Sequence, residues 1–170
     1  MLKRLREFGL YAKAEKCHFT VTEVSFLGFV ISADGIGMES DRISMIEDWP
    51  IPESVRDVQV LLGFMNFYQR FIRKYAKVTT PISDLLKKAD TSRTPKQLKW
   101  EWTWDAELAF QKLKWGFTDA PILNHFHPAK PIILQTNGSG FAIAGILNQY
   151  DGVAMLRPVN FYTRKCTGAE

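Results

Sequence analysis

Pro131-Ile132-Ile133-Leu134-Gln135-Thr136-Asn137-Gly138-Ser139 is the stretch on which the fold turns. Its first half is apolar and β-branched and its end is a Gly-Ser pair, so it predicts a buried strand running straight into a turn, with Asn137 presented at the strand's end. Two further strands follow, Phe141 to Gln149 and Arg157 to Arg164, with Asp151-Gly152 supplying hairpin chemistry between them. From residue 131 onward the chain predicts a β-meander.

Upstream, the period changes. A helix over about Asp105 to Phe117 places Ala106, Ala109, Phe110 and Leu113 on one side. Before it, Trp100, Trp102 and Trp104 alternate, so one face of a short extended segment would carry all three, packed against the following helix. Residues 89 to 99 are polar and unperiodic and predict a mobile loop. Thr80-Pro81 reads as the cap and first position of a helix running through Leu85-Leu86. Ser54 caps a longer helix, with Asp57 placed as in a capping box and an apolar stripe through Val58, Leu61, Leu62, Met65, Tyr68, Ile72 and Tyr75. Ile43, Ile46 and Trp49 form a short helix stopped by Pro50 and Pro52. Nearer the start, His18 to Val21 and Val24 to Ile31 predict short antiparallel strands closed by Asp34-Gly35, and Met1 to Leu10 a helix tail ended by Gly9.

A chain of 170 residues that is 46% hydrophobic and 13% aromatic buries a core of one domain or two small ones. Cys17 and Cys166 are too few for a disulfide framework, and with no secretory leader they indicate a reducing intracellular compartment. No apolar run reaches the roughly 20 residues of a membrane span. The net charge of +4 is uneven. Arg70, Arg73, Lys74, Lys77, Lys87, Lys88, Arg93, Lys96 and Lys99 face only Asp84 and Asp90 over residues 68 to 99. A polyanion partner and a solvated helical face both account for this excess, and charge alone does not choose between them.

Lys16-Cys17-His18-Phe19, Glu23 to Ser32 with Gly35-Ile36, and Trp49-Pro50-Ile51-Pro52 occur in order with Leu62 to Ile72, Pro81 to Lys87, Ala109 to Lys114, Ala120 to Leu123 and Pro158 to Tyr162. In this order the motifs resemble the reverse transcriptase and ribonuclease H polyprotein of gypsy-class long-terminal-repeat retrotransposons. The part resembled begins just after the polymerase active site, and the likeness covers nearly the whole chain.

The resemblance implies an α+β fold in four parts: the end of the palm with a primer-grip hairpin (1–40), a helical thumb (41–99), a connection (100–130) and an incomplete ribonuclease-H-like antiparallel meander (131–170). Phe26, Leu27 and Gly28 match the primer grip, and Gln59, Gly63 and Phe67 match a thumb helix that tracks the minor groove of the template-primer duplex. Spacing of four puts the latter three on one helical face, where a glycine lets the backbone approach sugar edges closely. Helix packing is the other reading of Gly63 and Phe67. Arg70, Arg73, Lys74 and Lys77 complete the implied nucleic-acid-binding set.

The family's polymerase holds magnesium with aspartates in a Tyr-x-Asp-Asp hairpin and an earlier strand; neither is in this chain. Its ribonuclease H needs four acids, and the first falls at Asn137, whose neutral amide cannot replace a bridging carboxylate. The resemblance therefore implies no catalysis by this chain alone and no cofactor in it, although the parent enzyme would use Mg²⁺. His125 and His127 lack nearby partner ligands and read as ordinary loop histidines, and Cys17-His18 as part of the family's strand rather than a metal site.

The implied function is a non-catalytic grip on an RNA–DNA or DNA primer-template duplex. The implied partners are that duplex and the rest of the polyprotein, and the implied location is a cytoplasmic virus-like particle or the nucleus. The alternative is a retroelement-derived protein-interaction module with no nucleic-acid role.

Overall fold

A computed structural model describes residues 2–90, 100–140 and 142–166, without the side chains of 88–90. Of the loop expected at 89–99, residues 89 and 90 are instead the end of a helix, while 91–99, with Arg93, Lys96 and Lys99, and the side chain of Lys88 lie outside the described residues. Two antiparallel three-stranded sheets flank a helical core, giving the mixed α+β class that the sequence predicts.

Helix α1 (Leu2–Glu7) ends at Gly9, whose φ of 64° lets the Gly9 N–H bond the Arg6 carbonyl and the Leu10 N–H the Leu5 carbonyl, a Schellman stop. The first sheet is β1 (Glu23–Phe26), β2 (Phe29–Ser32) and β3 (Gly35–Met38), in sequence order. The strand expected at His18 to Val21 is not there. Phe19 and Val21 are exposed and, among the described residues, have no strand to pair with. The apolar run from Val24 to Ile31 is instead folded on itself at Leu27-Gly28. Both turn residues have positive φ, 52° and 81°, as a two-residue hairpin of type I′ requires.

Helix α2 (Ser40–Glu47) leads through the Pro50/Pro52 stop to α3 (Val55–Phe67), where the Ser54 hydroxyl accepts from the Asp57 N–H at 3.2 Å and the Asp57 carboxylate from the Glu53 N–H at 3.1 Å. The long apolar stripe divides between elements. Val58, Leu61, Leu62 and Met65 are the buried face of α3, whereas Phe71, Ile72 and Tyr75 belong to a 3-10 turn and the start of α4 (Tyr75–Asp90).

Helix α4 also corrects the expected start at Thr80-Pro81, because Pro81 lies inside it. Tyr75, Thr79, Ile82 and Leu85 are buried in one continuous stripe. Packing of that stripe offsets the roughly 3 kcal/mol that an interior proline costs. The Thr79 and Thr80 hydroxyls bond the Tyr75 and Ala76 carbonyls in the turn that the proline loosens.

Helix α5 (Trp104–Thr118) buries Ala106, Ala109, Phe110, Leu113 and Phe117 in the same core as α2 to α4. Of the three tryptophans, Trp102 packs edge-on to Phe110 and donates to Glu107, and Trp100 leans on Trp102. Trp104 does not join them: it is the first residue of α5 and stands 79% exposed.

The second sheet is β4 (Ile133–Gly138), β5 (Ala142–Tyr150) and β6 (Leu156–Lys165). The sheets are joined through residues 122–124. Ile36 and Leu123 exchange both backbone hydrogen bonds, and the Asn124 N–H reaches the Pro158 carbonyl. Contrary to expectation, β4 is not a buried strand, since Leu134 is 62% exposed. It is an edge strand with β5 on one side and, among the described residues, no strand on the other.

Candidate nucleic-acid interface

The hairpin tip and α3 meet at an aromatic cluster. Phe29, the first residue after the turn, stacks on Phe67 with ring centroids 5.3 Å apart and touches Tyr68 and Phe71. Tyr68 is buried directly behind Gly28, where a β-carbon would run into its hydroxyl. The turn's conformation and its backing therefore both call for glycine. Burial raises the Tyr68 phenol above its ordinary pKa, a push that nearby Arg42 opposes. The Glu39 N–H donates to the Gly28 carbonyl, which pins the turn from its other side. Phe26 and Leu27 are left pointing outward, 59% and 67% exposed.

From this tip the outward face of α3 runs through Phe67, Gly63 and Gln59, all exposed. The row is about 12 Å long at about 1.5 Å per residue. Apart from its own helix backbone, Gly63 has nothing among the described residues within 4 Å of where a β-carbon would stand, so packing does not account for a glycine there. Phe67 is split between the two readings, half its ring on Phe29 and Tyr68 and 53% of its surface free.

Burial of Phe71, Ile72 and Tyr75 forces the chain to turn between the last two, which pushes Arg73 and Lys74 outward. Lys74 adopts a left-handed backbone, φ 58°, and its carbonyl accepts from the Lys77 and Val78 N–H groups to begin α4. Arg73, Lys74 and Lys77 make no ion pair among the described residues. Arg70 is set apart from them: it is half-buried, and its Nε has no partner among the described residues. Lys87 is paired with Asp84, whose carboxyl is held below its ordinary pKa first by that hydrogen bond.

Asn137 pairs with Ala144, and strand alternation puts it on the same sheet face as Gln135, Ile146, Phe161 and Thr163. Phe161 packs on the helical core, so this face looks toward the helices. At its outer margin Asn137, Gln135 and Thr136 line a cleft whose other wall is Arg73 and Lys74. Lysine ammonium groups opposite a neutral amide do not fit a Mg²⁺ ion, which takes carboxylate oxygens. Among the described residues no three His, Cys, Asp or Glu side chains gather as metal ligands.

His125 and the His127 backbone tie loops to the two sheets. His125 Nε2 meets the Ser32 carbonyl at 2.7 Å, and the His127 backbone is clasped by Gln149, a fully buried side chain that also bonds the Lys130 carbonyl. Sequence reasoning missed Gln149 and Phe29, and read Tyr68 as part of a buried stripe without its place behind the hairpin turn.

Residues 102–170 match the family described as the RNase H-like domain found in reverse transcriptase. Over 170 residues the chain is 29% identical to the Transposon Tf2-3 and Tf2-4 polyproteins of Schizosaccharomyces pombe, of whose length it spans 12%. The foamy viral protease-reverse transcriptase dRH in complex with dsDNA shares the fold with a TM-score of 0.76 at 23% identity, over 99% of this chain and 28% of that one. The foamy viral protease-reverse transcriptase in complex with RNA/DNA hybrid does so with a TM-score of 0.70 at 20% identity, over 91% and 20%. Along its whole length the chain is thus similar to LTR retrotransposon polyproteins, with the fold seen in foamy viral reverse transcriptase and, in residues 102–170, a match to the RNase H-like domain found in reverse transcriptase.

Proposed function

We propose that this chain grips a primer-template duplex within a larger RNA-directed DNA polymerase and ribonuclease H, and catalyses nothing by itself. The observation that carries the proposal is the continuity of the exposed row Gln59, Gly63, Phe67 with the outward tip Phe26-Leu27-Gly28 across the Phe29–Phe67 stack. An open backbone at Gly63 and a rigid hairpin at its foot suit a shallow groove edge and a strand end, the thumb and primer-grip roles. That the foamy viral structures hold dsDNA or an RNA/DNA hybrid supports the same partner here. The test is direct titration of an RNA–DNA hybrid at low salt. Weak binding without sequence preference is expected, and no binding would overturn the proposal.

Inactivity rests on Asn137 and its cationic surroundings. A pure preparation should leave the RNA strand of a hybrid intact under magnesium or manganese. Degradation that disappears in Asn137→Ala would contradict this. The interaction-module alternative draws on the free edge and exposed Ile132 and Leu134 of the second sheet.

A further inference from the structure

We propose that the cleft between the start of α4 and the helix-facing side of the second sheet is a metal-free seat for a phosphodiester of the bound strand. This rests on the duplex-gripping function proposed above and adds a site to it, at the position where the resemblance would put a metal-binding carboxylate.

Two adjoining hollows of about 240 Å³ and about 80 Å³ make up the cleft. They share Lys74, Asn137 and Ala144 in their walls. The larger lies below the about 300 Å³ at which pockets begin to enclose drug-sized ligands. Arg73, Lys74 and Lys77 supply the charge. Gln135, Asn137 and Thr163 supply neutral amides and a hydroxyl, and among the described residues neither wall contains a carboxylate. The Thr163 Oγ1 is buried without a hydrogen-bond partner among the described residues, so a polar atom at the cleft is unsatisfied.

Lysine is held at position 74 in a left-handed backbone that disfavours it, φ 58°, by the burial of Ile72 and Tyr75 on either side. The ammonium groups at 74 and 77 thus come from one fixed turn. Cations on one wall and uncharged hydrogen-bonding groups on the other recognise an anionic oxygen cluster directly. An aspartate at 137 would put a negative charge against that anion, so the asparagine suits the cleft to the phosphate that a carboxylate would need a metal to bridge.

The experiment is titration of a short RNA–DNA hybrid with the full chain, in EDTA and in Mg²⁺, over a series of salt concentrations. Wild type should bind equally well in EDTA. Lys77→Gln and Lys74→Gly should each lower the slope of log affinity against log salt by about 1, the share of one phosphate contact. Lys74→Gly suits the left-handed backbone better than lysine, so its loss cannot be put down to misfolding. Asn137→Asp should weaken binding in EDTA by on the order of tenfold, from like-charge repulsion in the cleft, and Mg²⁺ should restore part of it. Unchanged slopes for both lysine variants, with binding still lost in Gly63→Leu, would overturn the phosphate seat and leave the duplex grip standing. Absence of wild-type binding would overturn both.

Discussion

Replacing Gly63 should make the protein more stable and worse at its proposed task. The residue sits in the middle of the 13-residue α3, exposed, and apart from its own helix backbone no atom of the described residues lies within 4 Å of where a β-carbon would stand, so a side chain there displaces nothing. Glycine in a helix interior costs about 1 kcal/mol relative to alanine. Gly63→Ala should therefore raise the melting midpoint by about 2 to 4 °C for a chain of this size. Gly63→Leu should keep most of that gain, since leucine is also a strong helix former and its side chain would point to solvent. Binding should move the other way. On the proposed function, a methyl should hold the duplex slightly off the helix, whereas an isobutyl group should block the row between Gln59 and Phe67. The assay is a thermal melt paired with hybrid titration for wild type, Ala and Leu. A lower midpoint for Gly63→Ala would mean that this face is packed, contradicting the structure. A higher midpoint with unchanged affinity would mean that the glycine has no part in duplex contact.

Other outcomes follow from the same geometry. Gly28→Ala should destabilise by at least the about 1 to 2 kcal/mol of a left-handed backbone, more because its methyl meets the Tyr68 hydroxyl. Tyr68→Phe should recover part of that loss, and strict additivity in a double-mutant cycle of melts would show that the two do not touch. The second sheet, with its free β4 edge and exposed Leu134 and Tyr162, should exchange its amides earlier than α3 and α4 or self-associate; equal protection in a monomer would refute this. Asp84 holds β6 to α4 through Lys165, and its pKa is depressed mainly by the Lys87 hydrogen bond. Its contribution is therefore full above the ordinary carboxylate range and is lost as pH falls below about 4. β6 exchange that quickens between neutral pH and 5, or that persists unchanged in Asp84→Asn, would refute that assignment. Binding of a duplex through cations should show a log–log salt slope of about −4 to −5, from about four to six phosphates. A slope near zero would remove phosphate contact from the account.

Local chemistry sufficed wherever a few neighbouring residues settle the backbone. Gly9 ends α1, Ser54 with Asp57 starts α3, Pro50 and Pro52 stop α2, and Asp151 organises the last hairpin through the Val153 and Met155 N–H groups. The order of motifs was equally legible, because it is a property of the chain and not of its packing. Tertiary structure decided the rest. Pro81 lies inside α4 because a buried stripe crosses it, and Leu27 takes a left-handed turn because β1 and β2 pair across it. Asn137 illustrates the division most sharply. Its sequence position shows an amide where a carboxylate would be expected, but the cations facing it come from residues 73 to 77, far earlier in the chain. Only burial of Phe71, Ile72 and Tyr75 against the core turns those side chains toward the sheet, and such long-range packing leaves no periodic trace in the sequence.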